Sequence, residues 1–324
     1  MFLLFFEASA IPIFLLIVYC GSDRRERLKA SYYFLFFTLY GSISLLLLII
    51  NASALSQVSF ITSVEATVDS YSLWVLLFTA FAVKIPLFPV HIWLPYAHVE
   101  ASTATSILLA ALMLKLGGYG VLRFMLPLFS PEIHLFFRPL AVLICIIGVI
   151  YGGLAALRQI DLKRQIAFSS VAHMSFAMLG VFSFTEIGSK GGMYLMLSHG
   201  LTSSAIFYLV GVLSERYHTR AISAYSGLFG IMPAFVTFLL IASLANVGFP
   251  GTSGFIPELY TLISVLSLSP LLLLLVLFGM LMTTASSLVL LLRVMFGHVK
   301  TAYTLSSFSD LSRLDFVILS VLSG

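Results

Sequence analysis

The stretch Ala82–Phe124, AVKIPLFPVHIWLPYAHVEASTATSILLAALMLKLGGYGVLRF, decides how this chain folds. It sets Lys84 inside an apolar run broken by Pro86 and Pro89, predicts a turn at Trp93-Leu94-Pro95, and carries Lys115 through a second apolar run into Gly117-Gly118-Tyr119-Gly120. Two lysines in runs of this length need an explanation, because an ionised side chain at the bilayer centre costs on the order of 3 kcal/mol.

The composition says the runs are membrane spans. Of 324 residues, 60% are hydrophobic and 9% charged, with a mean hydropathy of +1.09. A water-facing domain spends about a quarter of its residues on charge, so this is an integral membrane protein. A transmembrane barrel alternates apolar and polar residues over roughly ten positions. Here the apolar runs continue for roughly twenty, the length that crosses about 30 Å of hydrocarbon as a helix. The expected fold class is therefore an all-α membrane bundle of one domain, residues 1–324.

The net charge of +4 and pI near 9.0 come from scattered basic residues, which gives no footing for nucleic acid. Cys20 and Cys145 lie far apart in apolar runs, outside any CxxC pattern, and read as small buried hydrophobes rather than as a disulfide or metal ligands. The run Met1–Cys20 has its basic residues after it, so it reads as a retained span and not as a signal peptide.

Ten segments are predicted: 2–20, 30–51, 70–93, 102–126, 135–157, 164–184, 190–214, 226–267, 270–296 and 313–324. The eighth is too long for one simple helix and holds Asn246-Val-Gly-Phe-Pro-Gly-Thr-Ser-Gly254, which should interrupt it. The tenth is too short to span alone. With this count one side of the membrane collects Arg24, Arg25, Arg27, Lys29, Arg158, Lys163, Arg164, Arg216, Arg220, Arg293, Lys300 and Arg313, and the other only Arg123, Arg138 and Lys190. That bias places the first set on the negative side and Met1 on the positive side.

Six ionisable residues fall at membrane depth: Glu7, Lys84, Lys115, His173, His199 and Glu258. Such residues usually face a polar interior and mark a pathway, though each has a plainer alternative. Glu7 also fits a frayed, interfacial helix end; Pro12, which cannot donate to the Ala8 carbonyl, would instead suit a hydrated site. Lys84 could snorkel, but it lies more than a dozen residues into its run, and Pro86 and Pro89 should loosen the carbonyls around Ala82 and Ile85. A broken helix at that depth is tolerated only against protein or a water-filled cavity.

Lys115 is followed by small residues that permit close helix approach, and desolvation there suits a group that takes and gives protons. His173 and His199 taken singly are ordinary packing residues. Each is flanked by hydroxyls, Ser169, Ser170 and Ser175 for the first and Ser198, Thr202, Ser203 and Ser204 for the second, which together can hold a chain of waters. Glu258 follows the Gly/Pro break and repeats the setting of Lys84. Glu258 lies five segments further along the chain than Lys84, an odd shift, as an inverted-topology repeat demands. The same shift pairs the helix of Glu7 with that of His173. No HExxH, GxxxxGK[ST] or GxGxxG motif is legible, and no nucleotide or redox centre is expected in this chain.

The runs Lys84-Ile-Pro-Leu-Phe-Pro-Val-His-Ile-Trp-Leu-Pro95, Ala97-His-Val-Glu-Ala101 and Leu114-Lys-Leu-Gly-Gly-Tyr-Gly120 resemble the subunit 4 family of proton-pumping NADH:ubiquinone oxidoreductase, respiratory complex I, more than its paralogues, subunits 2 and 5. The resemblance continues through Ser169-Ser-Val-Ala-His-Met174, Ser198-His-Gly-Leu201, Glu215-Arg-Tyr-His-Thr-Arg220 and Pro250-Gly-Thr-Ser-Gly-Phe-Ile-Pro-Glu258. It implies that Glu7 is a channel glutamate, Lys84 its partner on a broken helix, Lys115 the central lysine, His173 and His199 a hydrated axis, and Glu258 the terminal group.

The resemblance further implies no cofactor in this chain, with NADH, FMN, iron–sulfur clusters and ubiquinone in partner subunits. It implies subunits 2 and 5 as neighbours, lipids such as cardiolipin around them, and the mitochondrial inner membrane as location. A multisubunit sodium/proton antiporter of the Mrp type and a structural membrane scaffold stay open as alternatives. The chain departs from the family by starting at the helix of the glutamate, about four helices in, so a separate chain supplying those helices is expected, or a shortened subunit. Ser102 stands where the family usually has proline, and Tyr96 where it has a charged or polar residue.

Overall fold

The computed structural model describes residues 2–22, 25–55, 70–298 and 310–323, and helices dominate all four stretches. In chain order they are α1 (Phe2–Ala8), α2 (Ala10–Cys20), α3 (Glu26–Leu55), α4 (Tyr71–Lys84), α5 (Trp93–Glu100), α6 (Thr103–Leu128), α7 (Pro131–Leu157), α8 (Leu162–Val181), α9 (Glu186–Tyr217), α10 (Pro233–Val247), α11 (Phe255–Leu268), α12 (Pro270–Met295) and α13 (Arg313–Ser323). Six spans among the described residues are long and apolar enough to cross a membrane: the α1–α2 pair, α3, α6, α7, α9 and α12. The all-α, multi-pass membrane bundle is therefore borne out. The expected loop charges Arg24 and Lys300 lie outside the described residues.

The two predicted helix breaks are both present. One separates α4 from α5, the other α10 from α11. Because α6, α7, α8 and α9 lie between them, the two broken pairs enter the bundle from opposite ends, as the inverted-repeat reading requires. A third interruption, at Ser9 between α1 and α2, comes three residues before Pro12, which removes a backbone donor. The Phe88–Pro89 peptide in the first break is cis.

The predicted turn at Trp93-Leu94-Pro95 is not one: Trp93 opens α5. Pro95 is the third residue of that helix, where the missing N–H would have had no intrahelical acceptor anyway. The loosened carbonyls expected around Ala82 are also taken up. Leu87 N–H donates to the Ala82 carbonyl at 2.9 Å, and the Trp93 Nε1–H to the Val83 carbonyl at 3.0 Å.

α8 runs through the middle of the bundle, with every residue buried except Arg164, and packs against α5, α7, α9, α11 and α12. It is too polar to rank with the six long apolar spans, yet it suits an axis that never meets lipid. Helices in a bilayer associate through close packing of small residues. Here a Cβ on Gly153 of α7 would meet the Gly279 carbonyl of α12 at 2.9 Å. Cys145 is buried on α7 as expected, whereas Cys20, at the end of α2, is exposed.

α6 is one continuous rod, but two of its turns are π-helical, Leu109–Met113 and Val121–Met125. The turn of α-helix between them carries Lys115 and the three glycines. Ser102 caps this helix: its Oγ accepts from the Thr105 N–H at 3.4 Å. Tyr96 takes a place among cations, with Lys29 Nζ 5.9 Å and the Arg164 guanidinium 5.6 Å from its ring centre.

Candidate functional site

Lys84 ends α4, and its ammonium lies at the break, 1% exposed. It donates to the Phe6 carbonyl at 3.4 Å and sits 4.4 Å over the Phe6 ring. Glu7 is the next residue along α1, half-buried, and its Oε1 is buried with no hydrogen-bond partner. The two side chains are near enough to interact electrostatically, but no ion pair within 4.0 Å joins them. In this structure the lysine is held by a carbonyl and a ring face, and the glutamate waits beside it.

α6 approaches this break because glycine leaves room. A Cβ on Gly117 would lie 2.6 Å from Ile85 Cγ1 and 3.1 Å from Lys84 Cβ, and Gly118 and Gly120 make corresponding room for Met196 and Phe81. Lys115 then turns toward α9. Its ammonium donates to the Ala110 carbonyl, inside the first π turn, and reaches His199 Nδ1 at 3.1 Å. The other ring nitrogen, Nε2, is 3.2 Å from Ser170 Oγ on α8.

Since an ammonium can only donate, Nδ1 is the acceptor here and Nε2 carries the ring proton toward Ser170. The imidazole can therefore take a proton on one side and lose one on the other. His173, one turn along α8 from Ser170, places its ring centre 5.7 Å from that of His199. His173 Nε2 is buried without a partner. Lys115, His199 and Ser170 are thus joined at hydrogen-bond distance from α6 through α9 to the central helix, with His173 beside them.

Glu258 stands apart from that line. It lies in the first turn of α11, and its carboxylate rests on the α-carbon of Gly248, where a Cβ would collide with Oε2. Gly248 itself is left-handed, φ +72°, which favours glycine on both counts. α11 touches α8 one turn further on, Thr261 against Gly180. The structure thus gathers the six expected residues into three groups: Glu7 with Lys84, Lys115 with both histidines, and Glu258 at the second break.

The buried Lys163 and His98, with the half-buried Arg220, were not among the expected site residues. Lys163, 3% exposed, donates to the Ala101 carbonyl at 2.8 Å, and Arg220, ion-paired with Asp161 at 3.8 Å, donates to the Val99 carbonyl. Two cations thus hold the last carbonyls of α5, the favourable end of a helix for positive charge. His98, on α5, is fully buried, stacked 4.5 Å from the Phe207 ring, and neither ring nitrogen has a partner. It lies within electrostatic reach of both Lys163 and Lys115. The Ala97–Ala101 motif contains His98, and its polar flanks were the available signal. Among the described residues no group of three or more His, Cys, Asp or Glu is placed to hold a metal ion.

The family described as NADH:quinone oxidoreductase/Mrp antiporter, transmembrane, matches residues 1–284. The chain belongs to that family. Within it, the chain is 45% identical over 323 residues to NADH-ubiquinone oxidoreductase chain 4 of Chondrus crispus, covering 98% of this chain and 65% of that one. It is 44% identical over 329 residues to chain 4 of Arabidopsis thaliana, covering 100% and 66%. Against NADH-quinone oxidoreductase subunit M of Rickettsia felis it is 39% identical over 328 residues, covering 99% and 66%.

Among solved structures, a chain of respiratory complex I from Thermus thermophilus with bound NADH superposes with a TM-score of 0.90 at 33% identity, over 99% of this chain and 69% of that one. The Mrp complex from Dietzia gives a TM-score of 0.85 at 22% identity over 92% and 57%, a likeness of fold. The chain spans about 65% of the length of the curated relatives it matches. In sequence the chain is thus more similar to the chain 4 and subunit M relatives than to the Mrp structure.

Proposed function

We propose that this chain translocates protons as a membrane subunit of an NADH:ubiquinone oxidoreductase, driven by electron transfer and quinone reduction in other subunits. The observation that carries the reading is the Lys115–His199–Ser170 line, half-buried at Lys115 and buried at His199 and Ser170, beside an unpartnered His173. A proton enters from the negative side, reaches Lys115, and passes through His199 and His173 toward Glu258. Glu7 and Lys84 act as the switch. When their charges close, the pair stabilises the ammonium; when they separate, as in the geometry described above, the lysine is left to trade its proton with the relay.

NADH, FMN, iron–sulfur clusters and ubiquinone belong in this proposal to partner subunits, with subunits 2 and 5 as neighbours, lipids such as cardiolipin at the bundle surface, and the mitochondrial inner membrane as the setting. The Mrp-type alternative has weaker support, since that likeness is 22% in sequence against 45% for the first chain 4 relative.

The test is Lys115→Ala in the assembled complex. Proton pumping should be lost while the complex still assembles. Full pumping would refute the relay, and a lower yield of assembled complex with normal pumping per complex on neutralising Lys84 or Glu258 would favour a scaffold. Sodium-dependent transport without iron–sulfur partners would favour the antiporter.

A further inference from the structure

The first helix break holds more than the two charges of the switch. Lys84 Nζ lies 4.4 Å over the centre of the Phe6 ring and 3.4 Å from the Phe6 carbonyl, so one residue of α1 meets the ammonium with both backbone and side chain. That carbonyl belongs to the last turn of α1, and Ser9 Oγ, at the interruption, donates to it too, at 2.8 Å. Glu7 is the next residue, and its Oε1 is buried without a hydrogen-bond partner.

A phenylalanine beside a lysine is usually plain packing. Phe6 does pack, edge-on to Phe81 at 6.2 Å and tilted against Phe2 at 5.4 Å, and these two rings fix its plane. Three further observations go beyond packing. The ring turns its face, the electron-rich side, to the ammonium. Phe6 and Lys84 are 2% and 1% exposed, so no bulk water competes for the charge. A carboxylate oxygen stands free within electrostatic reach, yet the ammonium rests on the ring and the carbonyl. Successive side chains of a helix point about 100° apart, so Phe6 and Glu7 offer the lysine two seats on neighbouring faces of α1. Rotation of its flexible stem carries the ammonium between them.

We propose that Phe6 is a positioning residue whose ring seats the Lys84 ammonium while the Glu7–Lys84 pair is open. The inference rests on the Glu7–Lys84 switch of the proposed function and adds to it what stabilises the open state. A desolvated cation gains about 2 kcal/mol from a ring face, a shift of about thirtyfold in the equilibrium between open and closed. Without the ring the open state keeps only the carbonyl, and the ion pair holds the lysine.

The experiment uses the assembled complex in sealed vesicles, with acidification normalised to quinone reduction. Phe6→Leu removes the ring and leaves an apolar side chain, and should slow pumping by about ten- to thirtyfold. Phe6→Tyr keeps the face and should pump within about threefold of the parent. Where leucine prevents assembly, Phe6→Met serves in its place with a longer side chain. Pumping within about twofold of the parent without the ring overturns the seat, as does an equal loss in Phe6→Tyr.

Glu7→Gln separates the seat from packing. Glutamine leaves the ammonium no carboxylate to return to, so Phe6→Leu should then add less than about twofold to the effect of Glu7→Gln. A loss of about ten- to thirtyfold from Phe6→Leu in both backgrounds overturns the seat. A structure of the assembled Phe6→Leu complex needs no turnover. Lys84 Nζ should have moved to hydrogen-bond distance from a Glu7 carboxylate oxygen, and an ammonium still on the residue 6 carbonyl overturns the seat. Normal pumping in Glu7→Gln overturns the switch and the seat with it but leaves the Lys115 relay standing, whereas pumping that survives Lys115→Ala overturns the proposed function itself.

Discussion

His199→Leu is the sharpest perturbation of the relay. His199 is 4% exposed, so no bulk water stands ready to replace it, and it makes both of its ring hydrogen bonds, 3.1 Å to Lys115 and 3.2 Å to Ser170. Leucine keeps the bulk and removes both nitrogens. A hydrogen bond to a charged group is worth about 1.5–3 kcal/mol, and 1.36 kcal/mol is tenfold in rate, so transfer out of Lys115 should slow by roughly 10- to 150-fold.

Ser170→Ala removes only the neutral bond, about 1 kcal/mol, and should slow transfer about fivefold. In the His199→Leu background it should add nothing, because the partner it served is gone. The assay is acidification of sealed vesicles carrying the assembled complex, normalised to electron transfer measured with an uncoupler. Pumping within about twofold of the parent in His199→Leu, at normal assembly, would refute the relay as drawn, since that is a smaller loss than even the neutral bond predicts.

Two further outcomes test the scaffold around the lysines. Gly117→Val should drive a side chain into Ile85 Cγ1 and Lys84 Cβ, 2.6 and 3.1 Å from the new Cβ, destabilising the bundle by about 1–3 kcal/mol; Gly118→Ala, which meets mainly the flexible end of Met196, should be milder, and the amounts of assembled complex on a native gel rank the two. Trp93→Phe removes the donor to the Val83 carbonyl at the break, leaving a buried acceptor unmet at a cost of about 1–3 kcal/mol, read as a lower unfolding temperature of the solubilised complex; an unchanged temperature would show that the bond contributes nothing.

Much of the bundle was legible because lipid imposes a simple code. Unbroken apolar runs gave the spans, and prolines and glycines inside them marked where α4 and α10 stop. Lys84, Lys115 and Glu258 stood out because a charge in such a run has few excuses. Other features depend on who packs against whom. Trp93 reads as a turn residue until its indole is seen satisfying the Val83 carbonyl. Lys163 reads as a loop charge because Asp161 and Arg164 flank it; it is buried only because the end of α5 lands on the start of α8. The pairing of His199 with Lys115 joins residues 84 positions apart, a distance no periodicity reaches.

The two π turns of α6 carry a consequence for reading this chain against its relatives. A π turn holds one residue more than an α turn in the same rise, so each behaves as a single-residue insertion absorbed without a loop. One turn precedes Lys115 and the other follows Gly120. Deleting a residue from the first would restore regular helix and leave the residues on either side on their faces, whereas straightening the turn with no deletion would swing everything on one side of it by about 100°, taking Lys115 off the face that meets His199. A one-residue gap in this stretch of an alignment is therefore a change of length that keeps the face, and a relative of equal length that lacks the bulge keeps the lysine and loses the contact.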